Sequence, residues 1–380
     1  MNNTTDIHSH VFMRYTSVSA LIEAFAPVGS NAERVVPPVW YIVGLLCNPI
    51  CAVIWLGRRM RRNNSSAVYL GALSISDMAF LFLHFLYNLN GAWGVRVHNT
   101  EGGCEVFNLF FYAPQYLSIL LVMGFTVERY VAVCHPFLKE KWCTVRKACV
   151  IVVALTVFCL LLASAQTYIW DYQPMTDSCS YRDEAAAGDD RSFASIWNWV
   201  TELLVFGAVP LIVLVFNSIV LKEICKLAKN GVVSKQSGSA STTASTVTLL
   251  SVSFYLIVTQ LTATILFCIQ PAFPHGDIYL TDDEIRRDPL WTRMFSYLEA
   301  RKVIEVICLS HYACYFFIYL LTGKHFRKEV LYYLTCGGRF RCFADTSSRK
   351  RGEKYSMVSG NGHVLSETCT TTYTTYTTGV

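Results

Sequence analysis

Three sets of residues in this 380-residue chain have the types and spacing to do chemistry. The first is Glu128-Arg129-Tyr130, an acid, a base and a phenol in succession at the end of an apolar run. A charge held at mid-bilayer costs about 2.5–3.5 kcal/mol on insertion scales. The cost falls where the side chain snorkels to water, so a Glu–Arg pair at the end of such a run marks a place where charge is used. The second set is Asp77, with Asn48, polar groups inside the first two apolar runs; a carboxyl at that depth is functional by default. The third is Glu202 and Glu305, acids within later apolar runs. Buried carboxylates are paired or protonated. These two either pair with Arg301 or Lys302 or await a basic group on a ligand. An intramembrane hydrolase would need clustered ligands; His84, His311 and Asp77 are too scattered, and no CxxC pair suggests zinc.

These groups need elements to hold them at depth. Only 16% of the residues are charged, against about 25% in soluble domains, which makes a polytopic membrane protein the default. Seven apolar runs are long enough to span, near 36–57, 67–91, 105–134, 148–170, 196–221, 246–270 and 302–322. Arg58, Arg59, Arg61 and Arg62 follow the first run, and Lys139, Lys141, Arg146 and Lys147 the third. Lys222, Lys226, Lys229 and Lys235 follow the fifth, and Lys324, Arg327 and Lys328 the seventh. By the positive-inside rule these faces are cytoplasmic and the N-terminus is outside. The opposite loops are acidic, with Asp171, Asp177, Asp183, Glu184, Asp189 and Asp190 in one and Asp277, Asp282, Asp283, Glu284 and Asp288 in another. The net charge of +5 is spread over short loops rather than gathered in one patch, which excludes a nucleic-acid partner.

The flanks divide the chain into an N-terminal tail (1–34), a helical domain (35–336) and a C-terminal tail (337–380). The first 34 residues have no apolar core of a cleavable signal, so the first span is expected to do the targeting. Sequons at Asn2 and Asn3 are expected to carry glycan; those at Asn63 and Asn64 fall in the first inner loop and stay bare. Asn230 to Ser245 is rich in Gly, Ser and Thr and reads as a flexible loop. Thr322 to Leu334 alternates basic and apolar residues at helical spacing, which predicts a short amphipathic helix on the inner leaflet. Cys336 and Cys342 follow it as palmitoylation candidates. From Thr346 onward the chain is polar and expected to be disordered.

Cys104 lies 25 residues before Arg129, about 37 Å of helix, enough to cross a hydrocarbon core of about 30 Å. One helix thus carries a cysteine at one face of the membrane and Glu128-Arg129-Tyr130, followed by Pro136, at the other. This closely resembles the third helix of the rhodopsin-like (class A) G-protein-coupled receptors. The resemblance implies an all-α membrane fold: a seven-transmembrane helix bundle followed by a short amphipathic membrane-surface helix. It implies a disulfide between Cys104 and Cys179. It assigns Glu128, Arg129, Tyr130 and Tyr319 to G-protein coupling and activation. It gathers Asn48, Asp77, Ser118, His311 and Tyr315 into a polar core, with a sodium ion at Asp77 in the inactive state. The ligand pocket falls in the outer halves of the helices, with Glu202, Glu305, Phe111, Tyr112, Gln115, Tyr87 and Trp199 as its lining. Phe111 stands where amine receptors carry an Asp, which argues against a monoamine.

The chain departs from the family in places. Tyr315-Phe-Phe-Ile-Tyr319 replaces Asn-Pro-x-x-Tyr, so Asp77 is expected to pair with His311 rather than complete a sodium shell. The sixth run has no Cys-Trp-x-Pro and so lacks the commonest source of a sharp kink. Phe158 stands near the fourth helix's usual Trp, and Ser218 replaces a Tyr in the fifth, where Pro210 is kept. The reading is a plasma-membrane receptor for a basic peptide, acting through a heterotrimeric G protein and using no cofactor. The ending Tyr-x-x-Thr-Gly-x-x-Phe-Arg and Asn217 resemble invertebrate receptors for FMRFamide-like peptides. Arrestin is expected on the Thr- and Tyr-rich stretch Thr368 to Thr378 once phosphorylated, and a PDZ domain at Thr378-Gly379-Val380. The alternatives are a chemosensory receptor for a small molecule and, from other classes, an intramembrane enzyme or a transporter. Transporters usually show repeats, and the two halves of this chain show none.

Overall fold

The structure, a computed structural model, describes residues 10–15, 18–62, 64–175, 177–187, 191–229 and 237–335. Asn2, Asn3, Asn63, Asp189, Asp190, Lys235, Cys336, Cys342 and the C-terminal stretch with Thr378 to Val380 lie outside the described residues. The chain forms two compact units, Met1–Val330 and Leu331–Val380.

Among the described residues six helices are long and apolar enough to cross a membrane, and a bent pair supplies a seventh. The spans are Pro27–Leu56, Ser66–Trp93, Gly103–Cys134, Val145–Ile169, Phe193–Leu227 and Thr246–Ala272, with Pro289–Cys308 and His311–Thr322 as the seventh, bent by 41°. Their ends are set by local chemistry. Gly94, in the left-handed region at φ 65°, closes the second span, and Gly102 at φ 73° opens the third; both conformations suit a residue without Cβ. The Ser192 hydroxyl accepts from Ser195 N at 3.2 Å, and the Asp288 carboxylate accepts from Trp291 N at 2.9 Å, with Pro289 beginning the helix behind it. The helices bury Tyr69, Leu73, Ile119, Leu121, Phe125, Val213 and Leu256 between them, while Ile42, Val53, Val153, Leu161 and Val215 stay exposed, as lipid-facing residues do. Helices meet closely at small residues: a Cβ on Gly44 would lie 2.1 Å from Leu81 Cδ1.

Several elements differ from the sequence-based expectation. The first span starts at Pro27 rather than near 36, with Pro37 and Pro38 inside it. Lateral contacts hold this extra length: Arg34 donates to Ala92 O at 3.0 Å, and Lys302 pairs with Glu33. The stretch expected to be a flexible loop over Asn230 to Ser245 is helical from Ser237 onward. Asn230 to Gln236 lie outside the described residues. The seventh span begins at Pro289, well before 302, and breaks at Leu309-Ser310. The break has a cause. His311 Nδ1 lies 2.8 Å from Cys308 O, the carbonyl that would accept from Tyr312 N, and Tyr312 N bonds to Leu309 O instead. Helix Lys324–Leu334 follows, with Lys324, Arg327 and Lys328 exposed and Phe326 buried beside Trp55 and Tyr319.

The chain ahead of the first span is also structured. Helix Val18–Phe25 and the turn before it lie on the loop between spans six and seven. Val11, Leu21 and Ala26 are buried with Ile285, Trp291 and Phe295. Val11 N donates to Ile278 O at 2.8 Å; Arg14 donates to Leu280 O at 2.6 Å and to Asp282 at 3.0 Å, and the Tyr15 hydroxyl to Asp282 at 2.8 Å. Burial and the Asp282 carboxylate raise the Tyr15 phenol above its ordinary value. Glu23 takes both nitrogens of the Arg34 fork, at 2.6 and 2.8 Å, which holds its carboxyl below the ordinary range. Truncating the buried Leu21 to Ala is expected to weaken this docking by about 2–3 kcal/mol. Hydrogen exchange at the Val11 amide should accelerate accordingly, with amides in the third span unchanged; unchanged exchange at Val11 would refute the contact.

Candidate functional site

At the Cys104 end the helices enclose a cavity of about 310 Å³, within the range of ligand pockets. One side is aromatic: Phe80, His84, Phe111, Tyr112 and Tyr312. Phe80 packs at 4.3 Å on Tyr312 and at 5.5 Å on Phe111, and His84 Nδ1 meets the Tyr41 hydroxyl at 2.8 Å. The other side is charged, with Glu33, Glu202, Glu305, Arg301 and Lys302. Glu305 accepts from Arg301 Nε at 2.7 Å, one turn away on the same helix, and Glu33 pairs with Lys302. Glu202 has no ion pair among the described residues; it accepts from the Thr264 hydroxyl at 2.7 Å.

The fifth span explains how Glu202 is presented. Over Glu202–Ala208 it widens into a π-helix just ahead of Pro210. Proline has no N–H, so Phe206 O loses its i+4 donor. The Thr264 hydroxyl lies 3.1 Å from that carbonyl and also faces Glu202. A π-bulge re-aims side chains and recurs at functional sites. Of the expected lining residues, Phe111, Tyr112, Gln115, Glu202 and Glu305 share this cavity. Tyr87 lines a neighbouring one with Glu23, Glu33, Arg34 and Glu305. Trp199 packs on Phe267 at 4.8 Å and lines neither. Sequence reading missed Glu33 and Thr264. Glu33 lies ahead of the apolar run expected near 36–57 and so falls in the expected tail, and nothing in sequence distinguishes Thr264 from its neighbours.

A hairpin of β1 (Trp170–Gln173) and β2 (Ser178–Tyr181) lies at this end. Cys104 is bonded to Cys179 with the Cα atoms 5.6 Å apart. Asp177 sits at the hairpin turn with φ 48°, accepting from the Tyr172 hydroxyl at 2.7 Å and pairing with Arg96. Asp171 lies 3.8 Å from Arg182. The acidic loops are therefore partly neutralised by their own arginines.

In the middle of the bundle, Asp77 is fully buried. The Ser118 hydroxyl donates to Asp77 Oδ1 at 2.7 Å and lies 3.1 Å from Ser76, while Asp77 Oδ2 has no partner. The expected Asp77–His311 pair is not made: His311 Nδ1 faces Cys308 O at 2.8 Å and the Thr259 hydroxyl at 3.2 Å, and Nε2 is buried with no partner among the described residues. Asn48 turns to Tyr312 O at 2.8 Å. Tyr315 and Tyr319 are buried with unpartnered hydroxyls. An orphaned carboxylate oxygen beside two serine hydroxyls is a donor set that fits a hard cation such as sodium. Among the described residues no cluster of His, Cys, Asp and Glu is placed to hold a metal ion.

At the Arg129 end, Arg129 lies 3.2 Å from Glu128 and donates to the Ser66 hydroxyl, which itself donates to Glu128 at 2.6 Å. Ser66, at the start of the second span, closes a three-membered network that the sequence motif does not contain. Tyr130 meets His135 at 3.2 Å and packs on Phe216 at 5.0 Å.

Residues 49–300, well over half of the chain, match the family described as 7 transmembrane receptor (rhodopsin family). The chain belongs to that family. This rhodopsin-family receptor is 25% identical to C-C chemokine receptor type 1 of Homo sapiens over 307 residues, 78% of each chain. Shorter stretches match two invertebrate relatives. Neuromedin U receptor homolog nmur-2 of Caenorhabditis elegans is 28% identical over 30% of this chain and 28% of its own. Cephalotocin receptor 1 of Octopus vulgaris is 26% identical over 38% and 36%. The receptor is therefore a multi-pass membrane protein of the G-protein-coupled receptor class and is not an enzyme. The Cys104–Cys179 bond is the one the family resemblance implies.

Proposed function

We propose that this receptor sits in the plasma membrane with its N-terminus outside and binds a basic peptide beside Glu202. One observation carries the ligand class. Of the three acids in the cavity, Glu33 and Glu305 are held by Lys302 and Arg301, whereas Glu202 is bonded only by a neutral hydroxyl. A desolvated carboxylate without a cation favours a cationic partner. Relatives named for chemokines, neuromedin U and cephalotocin support a peptide, as does the likeness to receptors for FMRFamide-like peptides. Phe111, Tyr112, Gln115 and Tyr87 supply aromatic and polar contacts, with Trp199 behind them. The test is a peptide-library screen in cells with calcium and cAMP readouts. Agonists carrying Arg or Lys are expected; activation by neutral small molecules alone would defeat the reading and favour a chemosensory receptor.

Orientation rests on the basic loops at the Arg129 end. Glycan mapping tests it: Asn2 and Asn3 should be modified and Asn63 and Asn64 bare, and the reverse would invert the topology. At the inner face, Arg129 meets the G protein once released from Glu128 and Ser66, with Tyr130 and Tyr319 framing it. Phosphorylated tail residues recruit arrestin, Thr378 to Val380 a PDZ domain, and Cys336 and Cys342 carry palmitate. In the resting state Asp77 and Ser118 would hold a sodium ion. A hydrogen bond of this largely buried Glu128–Arg129–Ser66 network contributes about 0.5–1 kcal/mol net. Glu128→Gln and Ser66→Ala are each expected to raise ligand-free signalling about two- to fivefold. A silent receptor whose Glu128→Gln variant stays silent counts against the lock.

A further inference from the structure

The Arg129 end holds a second cavity, of about 340 Å³. Among the described residues five of those lining it are cations, Arg59, Arg62, Arg129, Lys139 and Lys324, and none is a carboxylate. Arg59 has Glu329 at 3.8 Å and Arg129 has Glu128 at 3.2 Å. Among the described residues no ion pair takes Arg62, Lys139 or Lys324. Arg129 Nε is buried without a partner.

Two helices begin at this wall. Ser65 and Ser66 open the second span, and Lys324 opens the helix that runs to Leu334. Helix N-termini carry partial positive charge and unpaired N–H groups. The chain turns tightly to bring the second of them here: a Cβ on Gly323 would lie 2.6 Å from Tyr319 O.

We propose that this cavity binds a phosphate-bearing polyanion, either the phosphorylated headgroup of a membrane lipid or a free polyphosphate of similar size. Repulsion among unneutralised cations is relieved by an anion of several charges, and one carboxylate would leave most of it in place. The arginines offer planar forks to phosphate and the lysines point charges. Helix N-termini add main-chain donors. The volume lies at the small end of ligand pockets, a size for a headgroup rather than a folded domain. An occupant would cover Arg129 and so compete for the face where the G protein is proposed to dock.

The test uses purified receptor without G protein. One arm places it in nanodiscs containing phosphatidylinositol 4,5-bisphosphate or phosphatidylserine at matched charge; the other adds soluble inositol trisphosphate. The readouts are the thermal midpoint and equilibrium binding between about 50 and 500 mM salt, a range over which exposed charges become screened. The bisphosphate lipid is expected to raise the midpoint more than phosphatidylserine. The variant R62Q/K139Q/K324Q should bind it at least tenfold more weakly, and R62K/K139R/K324R should retain binding. If the soluble anion binds as tightly as the lipid, the source is free polyphosphate; if only the lipid binds, it is the membrane. Equal effects of the two lipids together with no binding of the soluble anion, or undiminished binding by the glutamine variant, would overturn the site. A ligand-free midpoint for the glutamine variant equal to that of the parent separates lost binding from lost folding.

Discussion

Cys104→Ser is expected to abolish ligand binding, and Cys179→Ser to match it. The bond closes a 75-residue separation, and loop entropy over that length is worth about 4 kcal/mol, with the mechanism model-dependent. It also ties the β1–β2 hairpin to the head of the third span, at the mouth of the cavity that holds Glu202. Cys179 pairs in register with Tyr172, whose hydroxyl bonds Asp177, so the hairpin's own contacts hang from the sulfur bridge. Asn108 Nδ2 lies 2.9 Å from Cys104 O and 3.4 Å from Cys179 Sγ and is too weak a substitute to hold the loop. Radioligand binding and surface labelling of the two single variants and the double variant check this. A double variant no worse than either single means one shared bond; singles that differ widely would break the assignment.

Glu202→Gln is expected to lower agonist potency by about 2–5 kcal/mol, roughly 30- to several-thousand-fold. The size follows from geometry: a carboxylate inside the cavity, hydrogen-bonded by one hydroxyl, makes no ion pair among the described residues, so a ligand cation would supply its first. Arginine is the preferred ligand group because its fork engages a carboxylate bidentately. Glu305→Gln should behave differently. Its charge is already committed to Arg301, so it has no ion pair with the ligand to lose, and its removal is expected to cost less potency than that of Glu202. The measurement is a concentration–response series on both variants with the agonist and its Arg→citrulline analogue. The Glu202→Gln loss should shrink with the neutral analogue by more than the Glu305→Gln loss does. A Glu202→Gln potency within threefold of the parent, or a loss indifferent to ligand charge, refutes the anchor.

Arg301 and Lys302 also limit how far long-range steering operates. Several acids of the outer loops have local partners: Asp177 with Arg96, Asp171 near Arg182 and Asp282 with Arg14. Association rates should therefore fall with salt, but less steeply than the bare count of loop carboxylates implies.

The sequence by itself determined the class of molecule. Seven apolar runs, Glu128-Arg129-Tyr130 and Cys104 one helix-length away sufficed, because hydrophobic length and membrane thickness are local quantities. The family resemblance added the partner of Cys104. Tertiary structure decided which polar group meets which. Asp77 takes Ser118 and not His311, whose Nδ1 turns to Cys308 O at a break that no proline announced. Glu305 and Glu202 look alike in sequence, yet one lies a helical turn from Arg301 and the other faces a threonine from the neighbouring span. Glu33 enters the cavity only because the first span runs ten residues past Pro37 toward its N-terminus, an extension held by Lys302 and Ala92 from other helices. Ser66 completes the Arg129 network across 63 residues of chain. Contacts of that kind depend on how helices pack side by side, and packing is set by all the faces at once rather than by any single run of residues.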